Sequence, residues 1–148
     1  MSEHRISLQW ARNNGPFARG NYSPDHEIRY SGGQTLHGAP SPEFGGSGAH
    51  ADPEQMLLSA LSACHMLTFL AMCANRGYVV DSYSDDAVAM LGKNAEGKSA
   101  VTNAVLAPKV IFSGEKQPTA DEYAALHKRA HSACFIANSV KTTVEVRP

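Results

Sequence analysis

The sequence predicts an α+β fold in which hairpins, rather than repeated parallel βαβ units, carry the sheets. Three observations lead there. One long helical stretch occupies 52–77, short segments of alternating apolar and polar residues lie on both sides of it, and only one other stretch has helical spacing. At 148 residues, 43% of them hydrophobic, the chain is large enough to bury a real core, and residues 1–148 are expected to form a single domain.

Ile6 to Trp10 alternates apolar and polar residues and predicts a half-buried first strand, closed by the turn Asn13-Asn14-Gly15-Pro16. Phe17 to Tyr22 is placed in or beside the next strand, His26 to Tyr30 forms another, and Gln34 to His37 a short one after Ser31-Gly32-Gly33. Gly38 to His50 is too rich in Gly and Pro for regular structure and reads as a long loop. The central helix then opens with Asp52 as N-cap, Pro53 at the first helical position and Gln55 as capping-box partner, and Gly77 closes it. Apolar or small residues fall at nearly every angle around its axis, the pattern of a helix wrapped by protein on most sides. Its longest unbroken apolar run, Phe69 to Ala74, is far short of the roughly 20 residues that span a bilayer, so no membrane association is expected.

Tyr78 to Val80 and Asp85 to Leu91 read as strand, turned by Gly92 to Lys98 into Val101 to Phe112, where Pro108 predicts a bulge or an edge. Thr119 with Glu122 is a capping box for a second helix, whose Tyr123, Leu126, Ala130 and Ala133 share one face and which runs toward Cys134, with Asn138 as its breaker. Thr142 to Val146 closes the chain as a strand.

Formal net charge is −1 with no basic run or stripe, which argues against nucleic acid and anionic membranes as partners. The polar start Met1-Ser2-Glu3-His4-Arg5 leads into no apolar signal segment, and three cysteines without a secretory signal predict a reducing, cytoplasmic setting.

Cys64 lies near the middle of the long helix. Cys73, nine positions on, faces the opposite side, so a partner for Cys64 within the chain could only be Cys134. Two readings stand: both are small apolar core residues, or they come within disulfide reach and form a redox pair. Arg19 would favour a thiolate if it lay beside Cys64. Glu54 stands ten residues, about 15 Å of helix rise, before Cys64, so its available role is to orient an arginine. His65 points about 100° away from Cys64 and reads as a packed or interface histidine. His127, His131 and Cys134 are spaced to share a helical face and with Cys64 would make a Cys2His2 zinc set, although no close cysteine pair or knuckle accompanies them.

Several motifs together resemble the osmotically inducible protein C (OsmC) and organic hydroperoxide resistance (Ohr) family. They are Phe17-Ala18-Arg19-Gly20, the loop Gly45-Gly46-Ser47-Gly48 leading into Asp52-Pro53-Glu54-Gln55, Ser62-Ala63-Cys64, and Ala130 to Ser139 around Cys134. The resemblance covers nearly the whole chain. It implies antiparallel sheets enclosing long central helices in an intertwined homodimer, and a thiol peroxidase acting on organic hydroperoxides. Cys64 would be the peroxidatic thiolate and Cys134 the resolving thiol, with Arg19 stabilising thiolate and peroxide and Glu54 holding Arg19; Arg29 is a second candidate for the arginine. A lipoyl-type dithiol would be the reductant, and no metal, flavin or haem is needed because sulfur carries the redox change. Met56, Leu61, Met66 and Phe44 are candidates either for the core or for a pocket around the organic group. The rival from another class is a non-catalytic protein holding an apolar ligand, with its cysteines merely packed.

Overall fold

The computed structural model describes residues 1–148, which divide into two compact units, Met1–Met56 and Leu57–Pro148. In the first, β1 (Ile6–Gln9), β2 (His26–Tyr30) and β3 (Thr35–Gly38) form an antiparallel sheet in the order β1-β2-β3, with Leu8 opposite Ile28 and Ile28 opposite Leu36. Phe17 to Tyr22 is a tight turn rather than a strand. Ala18 and Asn21 exchange backbone hydrogen bonds at 2.8 and 3.1 Å across it. The Gly- and Pro-rich loop contains only a short 3₁₀ turn, Pro42–Phe44. Gly46 in that loop must lack a side chain, because a Cβ there would fall 1.7 Å from the Pro40 carbonyl oxygen.

The long helix α1 (Pro53–Asn75) starts as its sequence dictates. Gln55 N–H donates to Asp52 Oδ1 at 2.7 Å, and Asp52 N–H donates to Gln55 Oε1 at 3.2 Å, the reciprocal capping box. It stops at Gly77, whose φ of +72° suits a residue without a Cβ, and Tyr78 N–H returns to the Cys73 carbonyl at 3.0 Å. Length and composition alone make α1 the one helix long and apolar enough to cross a membrane, a test that the core helix of a soluble protein also passes.

In the second unit, β4 (Val79–Asp85) pairs with β7 (Pro108–Ser113), while β5 (Val88–Lys93), β6 (Ser99–Leu106) and β8 (Thr143–Val146) form a sheet in the order β5-β6-β8. The expected hairpin arm 101–112 is therefore two strands: the chain leaves β6 after Leu106, and Pro108 opens β7, which joins another sheet. β8 runs parallel to β6, an exception to an otherwise antiparallel pattern. The second helix, α2 (Ala120–Ala133), carries the capping box expected of Thr119 and Glu122.

The α1 stripe Leu61, His65, Phe69, Cys73 is buried, and Phe69 and Cys73 pack with Tyr78, Leu126 and Ala130 in the core of this unit. Phe69 is fully buried, with ring centroids of Tyr83, Phe112 and Tyr123 at 5.9 to 6.4 Å. The other side of α1, at Ala63, Leu67 and Ala71, is exposed. Within this one chain α1 is thus covered on one face only, although its sequence is apolar all round.

Candidate functional site

The two cysteines that the sequence singles out meet. Cys134 caps the C-terminus of α2 and is buried; Cys64, at the middle of α1 beside its buried stripe, is half-buried; both are free thiols. Their side chains lie close enough that each alters the ionisation of the other.

Four nearby groups favour the anion of the Cys64 sulfur. Burial opposes its ionisation, but the Cys134 thiol, the backbone N–H groups of Ile136 and Phe135, and the Thr68 hydroxyl together outweigh it and hold the Cys64 thiol below its ordinary value. The Thr68 hydroxyl also lies 2.8 Å from the Cys64 carbonyl and has one proton, so its share at the sulfur is the smallest. For Cys134 the balance is reversed. Burial and the bond to Cys64 push its thiol up, although Ala137 N–H reaches its sulfur at 3.4 Å. One thiol is therefore poised to be the anion and the other to stay protonated beside it.

The chain's turn after α2 makes this possible. The helix ends at Ala133, Cys134 takes an extended conformation, and Ala137–Ser139 forms a 3₁₀ turn, which leaves the N–H groups of 135–137 free of helical partners. Sequence reasoning looked to arginine for the thiolate and missed these backbone donors; the break it noticed at Asn138 was the available signal.

Arg19 and Glu54 belong to the first unit, Cys64 and Cys134 to the second. Arg19 is exposed in the Ala18–Asn21 turn, beside Gly20 with its φ of +71°. Glu54 is half-buried in the first turn of α1. No salt bridge joins the two, whereas Arg29 pairs with Glu27 at 3.1 Å. Of the residues considered for an apolar pocket, Leu61 is core, Met66 is half-buried and Phe44 is exposed. The first unit instead presents an aromatic wall that the sequence did not advertise. Trp10, Phe17 and Tyr22 stand 5.2 to 6.4 Å apart, all exposed, beside a cavity of about 520 Å³ lined also by Leu8, Pro24 and His26.

The proposed zinc set does not assemble, since no group of three or more His, Cys, Asp or Glu side chains is placed to hold a metal ion. His127 turns instead to His65. The His65 Nε2 and His127 Nδ1 atoms are 2.9 Å apart, and the two residues are only 1% and 2% exposed. Burial is the main reason that both lie well below the ordinary histidine value, each at about 4; a repulsive His131 adds to it at His65, where Asp85 works the other way, and His65 itself adds to it at His127. Asp85 anchors α1 from the side. It accepts from the Ser62 hydroxyl through Oδ2 and from Ala107 N–H at 2.7 Å through Oδ1.

Residues 45–148 match the family described as OsmC-like protein. The chain belongs to the OsmC-like family. An OsmC-like protein of unknown function from Vibrio cholerae O1 biovar eltor is 42% identical to this OsmC-like chain, with a TM-score of 0.96 over 99% of both. An uncharacterized protein, YmaD, from Bacillus subtilis strain 168 is 27% identical over 113 residues, 71% of this chain and 70% of its own length. The organic hydroperoxide resistance protein of Elizabethkingia anophelis shares the fold, with a TM-score of 0.72 at 15% identity over 99% of this chain and 94% of its own. The OsmC/Ohr-like α+β class expected from the sequence is thus the fold that this OsmC-like chain has.

Proposed function

We propose that this OsmC-like chain is a thiol-dependent peroxidase that reduces organic hydroperoxides to alcohols. The observation that carries the reading is the neighbouring pair of free thiols, one half-buried and favoured as an anion, the other buried and favoured as the protonated thiol. A related fold in a protein named for organic hydroperoxide resistance agrees with it.

The chemistry balances on sulfur alone. Cys64 thiolate attacks the terminal oxygen of ROOH, an S–O bond forms, the O–O bond breaks, and RO⁻ takes a proton to leave as ROH. Sulfur has then lost two electrons and stands as a sulfenic acid. The Cys134 sulfur attacks it, an S–S bond forms, and the oxygen leaves as water. A dithiol, of the lipoyl type that the resemblance implies, restores both thiols by exchange. The roles given to Arg19, or Arg29 in its place, and to Glu54 rest on the resemblance.

The homodimer belongs to the same reading. The exposed α1 stripe Ala63, Leu67, Ala71 borders Cys64 and offers one large apolar side chain between two alanines to a second copy, and the aromatic wall at Trp10, Phe17 and Tyr22 offers it apolar surface. Sedimentation should give twice the chain mass.

The test is a thiol count. One equivalent of cumene hydroperoxide should remove two thiols together from the reduced protein and yield one equivalent of alcohol, and Cys64→Ser should abolish both. A protein that keeps its thiols while binding apolar molecules would be a ligand carrier instead, and unchanged turnover in Cys64→Ser would refute the mechanism.

A further inference from the structure

We propose that the hydrogen bond between His65 and His127 is a positioning device for the thiol chemistry, fixing where α2 ends relative to α1 and with it the groups that surround the Cys64 sulfur. The proposal rests on the thiol-pair reading given above.

The geometry follows from the numbering of two helices. On α1, His65 comes directly after Cys64, about 1.5 Å further along the axis. On α2, His127 precedes Cys134 by seven residues, two turns, so the two lie on nearly the same side about 10.5 Å apart. Cys64 and Cys134 make one contact, His65 and His127 the other. These two polar contacts, one residue apart on α1 and two turns apart on α2, belong to a helix pair that Phe69 and Cys73 also hold against Tyr123, Leu126, His127 and Ala130. A roll or slide of α2 cannot change one without the other.

What depends on the position of α2 is nearly the whole environment of Cys64. Of the four groups that favour its anion, the Cys134 thiol and the N–H groups of Phe135 and Ile136 all lie at or just past the end of α2, and only Thr68 belongs to α1. Displacing α2 would withdraw three of them at once and also carry off the sulfur that must close the disulfide.

An apolar contact could fill the same space without penalty. The imidazole pair leaves His65 Nδ1 and His127 Nε2 buried with no hydrogen-bond partner, an arrangement that carries a desolvation cost at each such atom. What the pair adds is direction. Apolar surfaces slide over one another, whereas a bond from ring nitrogen to ring nitrogen at 2.9 Å holds only near one distance and angle. Neighbours hold His127 ready for it: the Phe69 ring lies parallel at 4.1 Å and the Tyr123 ring meets it edge-on at 4.6 Å.

The experiment uses the reduced full-length chain and three variants. His127→Leu removes the bond, His127→Gln carries an amide one methylene beyond the Nδ1 position, and His127→Asn puts an amide where Nδ1 stood. Two quantities are read: the pH midpoint of Cys64 alkylation by iodoacetamide, and the rate of Cys64–Cys134 disulfide closure after one equivalent of cumene hydroperoxide. His127→Leu and His127→Gln should raise the alkylation midpoint and slow closure by about tenfold or more, as small misplacements of reacting groups do. His127→Asn should restore both. Should His127→Leu fail to fold, the contrast between Gln and Asn decides. Wild-type midpoint and closure in the Leu or Gln variant would overturn the proposal, and so would an Asn variant as impaired as Leu. If the wild type loses no thiols to peroxide, the peroxidase reading fails, while the alkylation profile still decides the positioning role.

Discussion

Acid should destabilise this protein through two histidines, and the size of the effect can be worked out. His65 and His127 are buried, and their imidazoles are held at about 4 against an ordinary 6.5. The folded state therefore refuses protons that the unfolded chain accepts. Above pH 6.5 both states are neutral at these positions and the full stability is present; it falls as pH drops from 6.5 toward 4, and levels off below that. Each unit of pH in that window costs about 1.4 kcal/mol per histidine at most. From pH 7 to 4.5 the loss is roughly 2 kcal/mol for each and about 4 for the pair, a large part of the ~5–15 kcal/mol that holds a domain folded. Urea unfolding at pH 7, 5.5 and 4.5 measures it directly. The double variant His65→Gln, His127→Asn places amide groups near the bonded positions, where one NH2 can donate to the other's oxygen, and removes both titrating groups, so its stability should change far less over the same range. A wild-type stability that is flat between pH 7 and 4.5, or a double variant that falls just as steeply, would refute the reasoning.

Three further outcomes follow from the packing. Phe69→Ala should lose about 3–5 kcal/mol in denaturant unfolding, because the ring is fully buried among Tyr83, Phe112 and Tyr123. Thr119→Ala should lose about 1 kcal/mol by the same assay, since the Thr119 side chain accepts from Glu122 N–H at 3.2 Å to cap α2. Asp85→Ala strips the Ser62 hydroxyl and Ala107 N–H of their common acceptor and should lower stability by roughly 1–3 kcal/mol, with Asp85→Asn less damaging because its amide oxygen can still accept from one of them.

Local chemistry was legible in the sequence and distant chemistry was not. The boundaries of α1 and α2 could be read because each cap is written within four residues, Asp52 with Gln55 and Thr119 with Glu122. The two redox candidates could be named because the chain has only three cysteines and Cys73 faces away from Cys64. The split at Ala107 between β6 and β7 could not, since it depends on which sheet each strand joins. His127 and His131 at four-residue spacing suggested a metal, yet His127 is claimed by His65, 62 positions away. A clue did exist in the spacing Leu61, His65, Phe69, Cys73, which sets His65 on a stripe of core residues. The backbone donors at Phe135 and Ile136 escape any reading by residue type, because every residue except proline has such a group.

The parallel strand at the end of the sequence affects how the chain is made. β6 is the middle strand of its sheet and β8, its second neighbour, follows every other element in the order of synthesis. While the ribosome is still adding α2, β6 has β5 on one flank and a bare row of amide and carbonyl groups on the other, able to recruit a stranger's strand. Thr143 to Val146 seals that flank only after α2 has been made, so a nascent product that stops before these residues should be more prone to aggregate.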